Sequence, residues 1–168
     1  MRPEDRLFFF TTCGWMMWNW VVSGLMVGTP VILYEGNPFH PGPDRLWQMA
    51  EAERLTHMGV SAKYVDAVRN AGYLPGQNVD LSALRMIMST GSPLSAEAFE
   101  FIYRDVSPSL QLCSISGGTD LISCFVLGTP TQPVHAGEIQ SRGLGMAVEI
   151  LDDDGLSLIH ISEPTRQV

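Results

Sequence analysis

Basic side chains are scarce in this sequence. Its 168 residues include ten lysines and arginines against 18 aspartates and glutamates, so the formal net charge is −8. A protein that binds nucleic acid or an anionic membrane through charge needs a surplus of cationic groups. We therefore expect no nucleic acid and no membrane among the partners. A nucleotide remains possible, because backbone N–H groups and a metal ion can hold phosphates.

Cysteine is scarce as well. Cys13, Cys113 and Cys124 are odd in number and form no C-x-x-C pair. This usage favours buried thiols in a reducing, cytoplasmic setting over a disulfide framework. The opening residues, Met1-Arg2-Pro3-Glu4-Asp5-Arg6, do not have the pattern of a signal peptide, which agrees with a cytoplasmic location.

The sequence also lacks an apolar run long enough to cross a membrane. Its longest such run, residues 14–27, contains Asn19 and Ser23 and is followed at once by Gly28-Thr29-Pro30. A spanning helix needs about 20 apolar residues without such a break. We expect this run to be a helix buried in an α/β core.

Short β-rich runs alternate with helical stretches along the chain, which is typical of parallel βαβ units. The predicted fold class is therefore α/β, with a mostly parallel sheet, flanking helices and a few antiparallel strands at the end. Strands are predicted at 7–12, 30–34, 57–60, 84–88 and 111–115, helices at 15–27, 44–54, 62–71 and after Ser95, and antiparallel strands at 137–141 and 146–151.

Two loops follow predicted parallel strands, at 89–93 and 116–120. Ligands of open α/β sheets bind at the carboxyl ends of the strands, so these loops are the first place to seek a site. Glycine lets the backbone approach a base or a phosphate closely, a threonine hydroxyl donates to phosphate oxygen, and a carboxylate holds Mg²⁺. Gly117-Gly118-Thr119-Asp120 combines these groups, although a sequence of this kind is more often only a turn.

A resemblance adds to this interpretation. Four segments follow one another along the chain. They are a predicted strand, then Thr11-Thr12-Cys13-Gly14-Trp15-Met16-Met17-Trp18-Asn19-Trp20, then Ser89-Thr90-Gly91-Ser92-Pro93-Leu94, and then Ser114-Ile115-Ser116-Gly117-Gly118-Thr119-Asp120. In this order they resemble the middle of the adenylate-forming acyl-CoA synthetase superfamily. Residues 10–20, 61–64 and 114–125 are similar to its acetoacetate–CoA ligases in particular.

The resemblance implies a two-step reaction on small molecules. ATP and acetoacetate would give an acyl-adenylate and pyrophosphate, and coenzyme A would then displace AMP. ATP/AMP, Mg²⁺ and coenzyme A are the implied cofactors and co-substrates, and the oligomeric state is left open. The superfamily also implies a phosphate-binding loop before residue 1, and a ribose-binding aspartate and a catalytic lysine after residue 155. We therefore expect the parent protein to be a ligase and the isolated chain to be inactive.

The resemblance also assigns roles to individual residues. Thr119 would donate to the α-phosphate, and Asp120, where the superfamily usually has glutamate, would ligate Mg²⁺. Residues implied to contact the nucleotide are Gly91, Ser92, Pro93, Ser114, Ile115, Ser116, Gly117, Gly118 and Thr119. Those implied to form the acyl pocket are Trp15, Met16 and Gly117. Short-chain relatives carry bulky aromatics where this chain has Ser116 and Gly117, so a longer acid than acetate is expected.

Two alternatives stay open at this level. One is a nonenzymatic nucleotide-binding module of the same fold, and the other is a ligase for another short-chain acid. The tail raises a separate point, because residues 156–166 resemble the in-frame translation of a sequencing adapter. We expect residues 1–155 to be part of an AMP-binding adenylation domain and residues 156–168 not to be native.

Overall fold

The main sheet of the protein is parallel and has five strands. The computed structural model describes residues 1–156, so most of the adapter-like tail lies outside the described residues. The strands are β1 (Leu7–Phe9), β2 (Val31–Ile32), β3 (His57–Ser61), β4 (Met86–Thr90) and β5 (Gln111–Ser114). Their order is β2-β1-β3-β4-β5, and every neighbouring pair is parallel. The predicted fold class is confirmed.

Helices connect these strands. They are α1 (Met16–Ser23), α2 (Arg45–Ala52), α3 (Ala62–Asn70), α4 (Pro75–Asn78) and α5 (Ala96–Phe101). A 3₁₀ turn, Gly24–Val27, extends α1, and a π-helical turn, Ile102–Val106, extends α5. The extension of α1 ends at Gly28, whose φ of 76° is left-handed and suits glycine. The single turn α4 was not predicted, because four residues carry no helical periodicity.

The side chains of the sheet alternate between two separate cores, as the pleat of a strand requires. On one face, Phe8, Met58 and Ile87 pack with α2, α3 and α5. On the other face, Phe9 and Met88 pack with α1 and with a second, smaller sheet. The sheet therefore lies between two packed layers, and its carboxyl edge emerges between them.

Helix α1 is less buried than the sequence suggests. Met16, Met17 and Val21 face the sheet and are buried. Asn19, Val22 and Ser23 on its other side are exposed, as are residues 25–27 of its extension, where Met26 retains 88% of its surface. The prediction of a helix buried in the α/β core therefore holds for only one face of α1, the face that meets the sheet.

The second sheet is antiparallel and consists of β6 (Ser116–Gly118), β7 (Ser123–Leu127) and β8 (Ser141–Arg142). It begins earlier than predicted, inside the glycine-rich run itself. Glycine has a low strand propensity, so the sequence favoured a loop there. A Cβ added to Gly117 would overlap the carbonyl oxygen of Ser123 and lie 2.9 Å from the Cα of Cys124. The missing side chain is what allows β6 to approach β7. No strand is formed at 146–150.

Candidate functional site at the carboxyl edge of the sheet

The two predicted ligand-binding loops lie side by side. Strands β4 and β5 are neighbours, with Ser89 paired to Ser114, and the backbone N–H of Ile115 donates to the carbonyl of Ser89 at 2.8 Å. The segment 91–93 follows β4, and the segment 115–118 follows β5. The carboxyl edge of the sheet therefore brings together the two stretches that the resemblance assigns to one nucleotide.

The first loop turns at Gly91, whose φ is +89°. A side chain is strained in this left-handed region, so glycine has a conformational reason to be here. The position where a Cβ would stand lies 3.9 Å from the Cβ of Ser61, at the end of β3. Pro93 is exposed and Ser92 is partly exposed. The loop thus presents backbone and small groups to the edge, next to the start of α3.

In the second loop, burial gives way to exposure within a few residues. Ser114 and Ile115 are buried, whereas Ser116 is exposed. Because the Cβ direction of Gly117 is filled by the backbone of β7, the small size of this residue has a structural reason in the hairpin. A wider acyl pocket at Gly117 stays a prediction, and the exposed Ser116 is the residue at which a larger side chain would meet open space.

Thr119 and Asp120 form the tip of the β6–β7 hairpin. Both are exposed, and the N–H of Ile122 closes the turn on the carbonyl of Thr119 at 3.1 Å. Ile122 has a φ of 49°, which is unusual for a β-branched residue. Among the described residues neither the Thr119 hydroxyl nor the Asp120 carboxylate is engaged by another side chain. Residues 1–156 contain no group of three or more His, Cys, Asp or Glu that could hold a metal by itself.

Two of the three predicted acyl-pocket residues, Trp15 and Met16, come from the start of α1, on the other side of β3. Trp15 precedes the helix and keeps 66% of its surface exposed. Met16 is buried in the same core cluster as Met88 and Ile115. Met16 therefore belongs to one packed wall with the start of the nucleotide loop, while Trp15 stands at its rim.

Sequence reasoning missed some edge residues. Ser61 and Thr90 are register partners at the ends of β3 and β4, and Thr90 projects to the same face as Met88. The alternation along β4 would have identified Thr90 as an edge hydroxyl on the α1 side. A cleft of about 410 Å³ also opens after β1 and β2, lined by Phe9, Thr11, Thr12, Cys13, Trp18, Leu33, Tyr34 and Glu35. Trp18 is one of its walls.

Histidine and cysteine are poor candidates for chemistry here. His57 lies at the amino end of β3, away from the loops, with Nδ1 at 2.8 Å from the Thr56 hydroxyl. Burial lowers its pKa, so it is neutral at physiological pH. Burial raises the pKa of Cys113, and that of Cys124 to about 11, so both thiols are protonated. Cys13 is exposed, unlike the buried thiols that were expected.

No helix among residues 1–156 combines the length and the apolar character that crossing a bilayer would require.

Comparisons with known proteins show which proteins this chain is similar to. Acetoacetyl-coenzyme A synthetase of Rhizobium meliloti is 57% identical over 155 residues, which are 92% of this chain and 24% of that protein. Malonamoyl-CoA synthetase vrtB of Penicillium aethiopicum is 39% identical over 182 residues, covering 100% of this chain and 25% of that protein. The solved acetoacetyl-CoA synthetase from Streptomyces lividans aligns with a TM-score of 0.85 at 44% identity, over 94% of this chain and 25% of that one.

The chain thus spans about a quarter of the length of the curated relatives that it matches. A family model described as AMP-binding enzyme matches residues 1–164, almost the whole sequence. Because this match covers almost the whole chain, the chain belongs to the AMP-binding enzyme family, and the parallel sheet with two loops side by side at its carboxyl edge agrees with that membership.

Proposed function

We propose that this chain is part of an ATP-dependent ligase that converts acetoacetate and coenzyme A to acetoacetyl-CoA through an acyl-adenylate. The observation that carries the proposal is that the segments 91–93 and 115–118 follow the neighbouring, paired strands β4 and β5, and that the second segment leads to the exposed hydroxyl of Thr119 and the exposed carboxylate of Asp120. The names of the relatives at 57% and 44% identity support the same activity.

The reaction has two displacements. In the first, a carboxylate oxygen of the acid attacks the α-phosphorus of ATP, and pyrophosphate leaves with the bonding electron pair. In the second, the sulfur of coenzyme A, after losing its proton, attacks the acyl carbon, and AMP leaves. Adenylation is needed because a free carboxylate repels nucleophiles and has no good leaving group. The protein contributes positioning and charge stabilisation.

The residues of the edge fit a nucleotide. The backbone turn at Gly91 and the small side chains of the second loop admit a flat base close to the main chain. Thr119 donates its hydroxyl proton to an α-phosphate oxygen. Asp120 supplies one carboxylate to Mg²⁺, which usually takes its other ligands from phosphates and water. A single exposed carboxylate is sufficient for that role.

Met16 and Ile115 form the buried floor beside the acid, and Trp15 stands at its rim. Ser116 sets the space for the acyl group on the exposed side of β6. Acetoacetate and malonamate, the acid implied by the name of the second relative, differ only by a methyl group in place of an amide NH₂. Because the two acids are so similar in size, malonamate is the sharpest competing substrate.

The test is a chimera. Residues 1–155 replace the matching segment of the Rhizobium meliloti acetoacetyl-CoA synthetase, and the unmodified synthetase is the control. We expect acetoacetate-dependent ATP–pyrophosphate exchange and formation of acetoacetyl-CoA by the chimera, and no exchange by the isolated chain.

The acid panel contains acetoacetate, malonamate, acetate and butyrate. A folded chimera without exchange on any acid would favour a nonenzymatic nucleotide-binding module. A higher kcat/KM for malonamate or acetate than for acetoacetate would favour a ligase for another short-chain acid.

A further inference from the structure

The cleft after β1 and β2 has no part in the function proposed so far. Its volume of about 410 Å³ lies within the range of roughly 300–1,000 Å³ that is usual for small-molecule sites. Phe9, Trp18 and Leu33 give it apolar walls, and the hydroxyls of Thr11 and Thr12 lie among them. Apolar walls with a few polar groups are the usual lining of a site that binds an organic ligand.

The cleft adjoins the predicted acyl pocket. The backbone N–H of Trp15 donates to the carbonyl of Thr12 at 3.2 Å, and the N–H of Trp18 donates to the carbonyl of Trp15 at 3.0 Å. Two residues that line the cleft therefore hold the backbone of Trp15, at the rim of the acyl pocket. Phe9, which also lines the cleft, belongs to the same core cluster as Met16. The cleft and the acyl pocket thus share the start of α1.

Strand order places the cleft away from the nucleotide loops but at the same edge. The order β2-β1-β3-β4-β5 is parallel throughout, so β3 separates the cleft after β1 and β2 from the loops after β4 and β5. In the second step of the proposed reaction, the thiol attacks the acyl carbon while AMP is still bonded to it. The thiol must therefore approach from a direction that the nucleotide leaves free, and the cleft side of α1 offers one.

Charge indicates which kind of group the cleft binds. Among its lining residues only Glu35 has a formal charge, and this charge is negative. Phosphates and free carboxylates are repelled by such a lining, which argues against ATP, the acid and the nucleotide part of coenzyme A as its occupant. The pantetheine arm of coenzyme A is neutral, with amide groups and a hydroxyl between apolar segments. The Thr11 hydroxyl donates to the Thr12 carbonyl at 3.2 Å, which leaves its oxygen to accept from an amide N–H.

We propose that this cleft binds the pantetheine arm of coenzyme A and directs its thiol towards the acyl carbon. The inference rests on the proposed function, in which coenzyme A is the substrate of the second step. Phe9, Trp18 and Leu33 pack against the apolar segments of the arm, and the threonine hydroxyls bind its amides. The phosphates stay outside the cleft, away from Glu35.

Cys13 makes the occupancy of the cleft measurable. It is exposed and lines the cleft, whereas Cys113 and Cys124 are buried. Burial also raises the pKa of both buried thiols, so they stay protonated and react slowly. N-ethylmaleimide should therefore modify Cys13 first among the cysteines of this chain, and mass spectrometry of its peptide follows the reaction.

The experiment uses the chimera with the Rhizobium meliloti synthetase. Desulfo-coenzyme A and desulfo-pantetheine are the protecting ligands, because they lack the thiol that would consume the reagent. Cys13→Ala reports on modification of cysteines elsewhere in the chimera. Ser109→Cys in the Cys13→Ala background is the matched control, since Ser109 is exposed and lies before β5, outside the cleft.

We expect either desulfo ligand, at ten times its dissociation constant, to slow modification of Cys13 about tenfold, because roughly a tenth of the clefts remain free. Neither ligand should slow modification of Ser109→Cys. Once modified at Cys13, and freed of reagent, the chimera should form thioester at least about tenfold more slowly with coenzyme A and with pantetheine, and keep its ATP–pyrophosphate exchange. Thr12→Val should raise KM for both thiols about three- to tenfold, the usual scale of one neutral hydrogen bond.

The absence of protection by both desulfo ligands would overturn the proposal. An equal loss of exchange on modification would also overturn it, since the cleft would then serve the first step or the fold. A loss with coenzyme A but not with pantetheine would place the nucleotide part in the cleft and overturn it as well. Failure of the proposed function differs from all of these, because the unmodified chimera would show no exchange with any acid. Protection of Cys13 still tests the cleft in that case, since it needs no turnover.

Discussion

The ring of Phe9 lies against the backbone of Gly59, its register partner on the neighbouring strand, so closely that a Cβ on Gly59 would overlap three ring carbons. Both residues face the α1 side of the sheet, in the core that also contains Met16 and Met88. The absence of one side chain on β3 therefore determines where an aromatic ring of β1 packs under α1.

Gly59→Ala should destabilise the chain by about 1–3 kcal/mol, because Phe9 must leave its place and disturb its core. Urea unfolding followed by far-UV circular dichroism measures the change. Gly14→Ala is the matched control, since the nearest atom to its added Cβ is 4.0 Å away. Equal unfolding midpoints for the two variants would contradict this account of the packing.

The two glycines before Thr119 should respond differently to alanine. Gly117→Ala pushes the backbone of β6 away from β7 and so displaces the hairpin tip that carries Thr119 and Asp120. Gly118→Ala has room, because the nearest atom, Cδ2 of Leu121, is 3.7 Å from the added Cβ. In the chimera we expect exchange activity to fall at least about tenfold for Gly117→Ala and little for Gly118→Ala, since about 1.4 kcal/mol of misplacement gives that factor. Similar exchange activities for the two variants would contradict the claim that Gly117 must lack a side chain for the hairpin tip to be in place.

Asp120→Asn in the chimera should lower exchange activity about 100-fold, the usual scale for loss of one electrostatic contact to a transition state. Asp120→Glu keeps the carboxylate and should retain more activity, and added Mg²⁺ should partly restore the asparagine variant. Asp153→Asn, in an exposed turn near the end of the described residues, is the control. An unaltered Mg²⁺ dependence in Asp120→Asn would exclude this carboxylate as a ligand.

The charge at the start of α3 can be tested by stability alone. Lys63→Glu places an anion where the helix favours one, so we expect the free energy of unfolding to rise by about 0.3–1 kcal/mol at low salt. Glu97→Lys at the start of α5 should lower it by a similar amount. Added salt should reduce both effects. A loss of stability in Lys63→Glu would show that the lysine serves α3 itself.

Alkaline pH should destabilise the chain through its buried thiols. Burial raises the pKa of Cys124 from 9.0 to about 11, so the folded state holds this proton more tightly than the unfolded state. The resulting stabilisation is complete below about pH 9 and is lost as the pH rises towards 11. Urea midpoints measured across this range should fall less steeply in Cys124→Ala than in the unsubstituted chain, and Cys13→Ala should leave the slope unchanged. Parallel slopes for all three proteins would contradict the assignment to Cys124.

Much of the main sheet was predictable, because alternating β-rich and helical runs are a local property of the sequence. The strand at 57–60 and the helix at 62–71 lie within a residue of β3 and α3, and Ser95 caps α5 as expected. Strand β6 was not predictable in this way. Its glycines indicate a loop by propensity, yet they pair with β7, and at Gly117 a side chain would overlap the β7 backbone.

The sequence by itself determined the α/β class, the acidic charge, the order of the loops and the residue types at Thr119 and Asp120. These depend on periodicity, composition and motif spacing, which need no neighbours in space. Only the tertiary structure decided that the two loops lie on adjacent strands, that Gly117 is filled by β7 rather than open, and that α1 buries a single face. Each of these depends on strand order and register, which arise when distant segments pack and which local patterns along the chain do not specify.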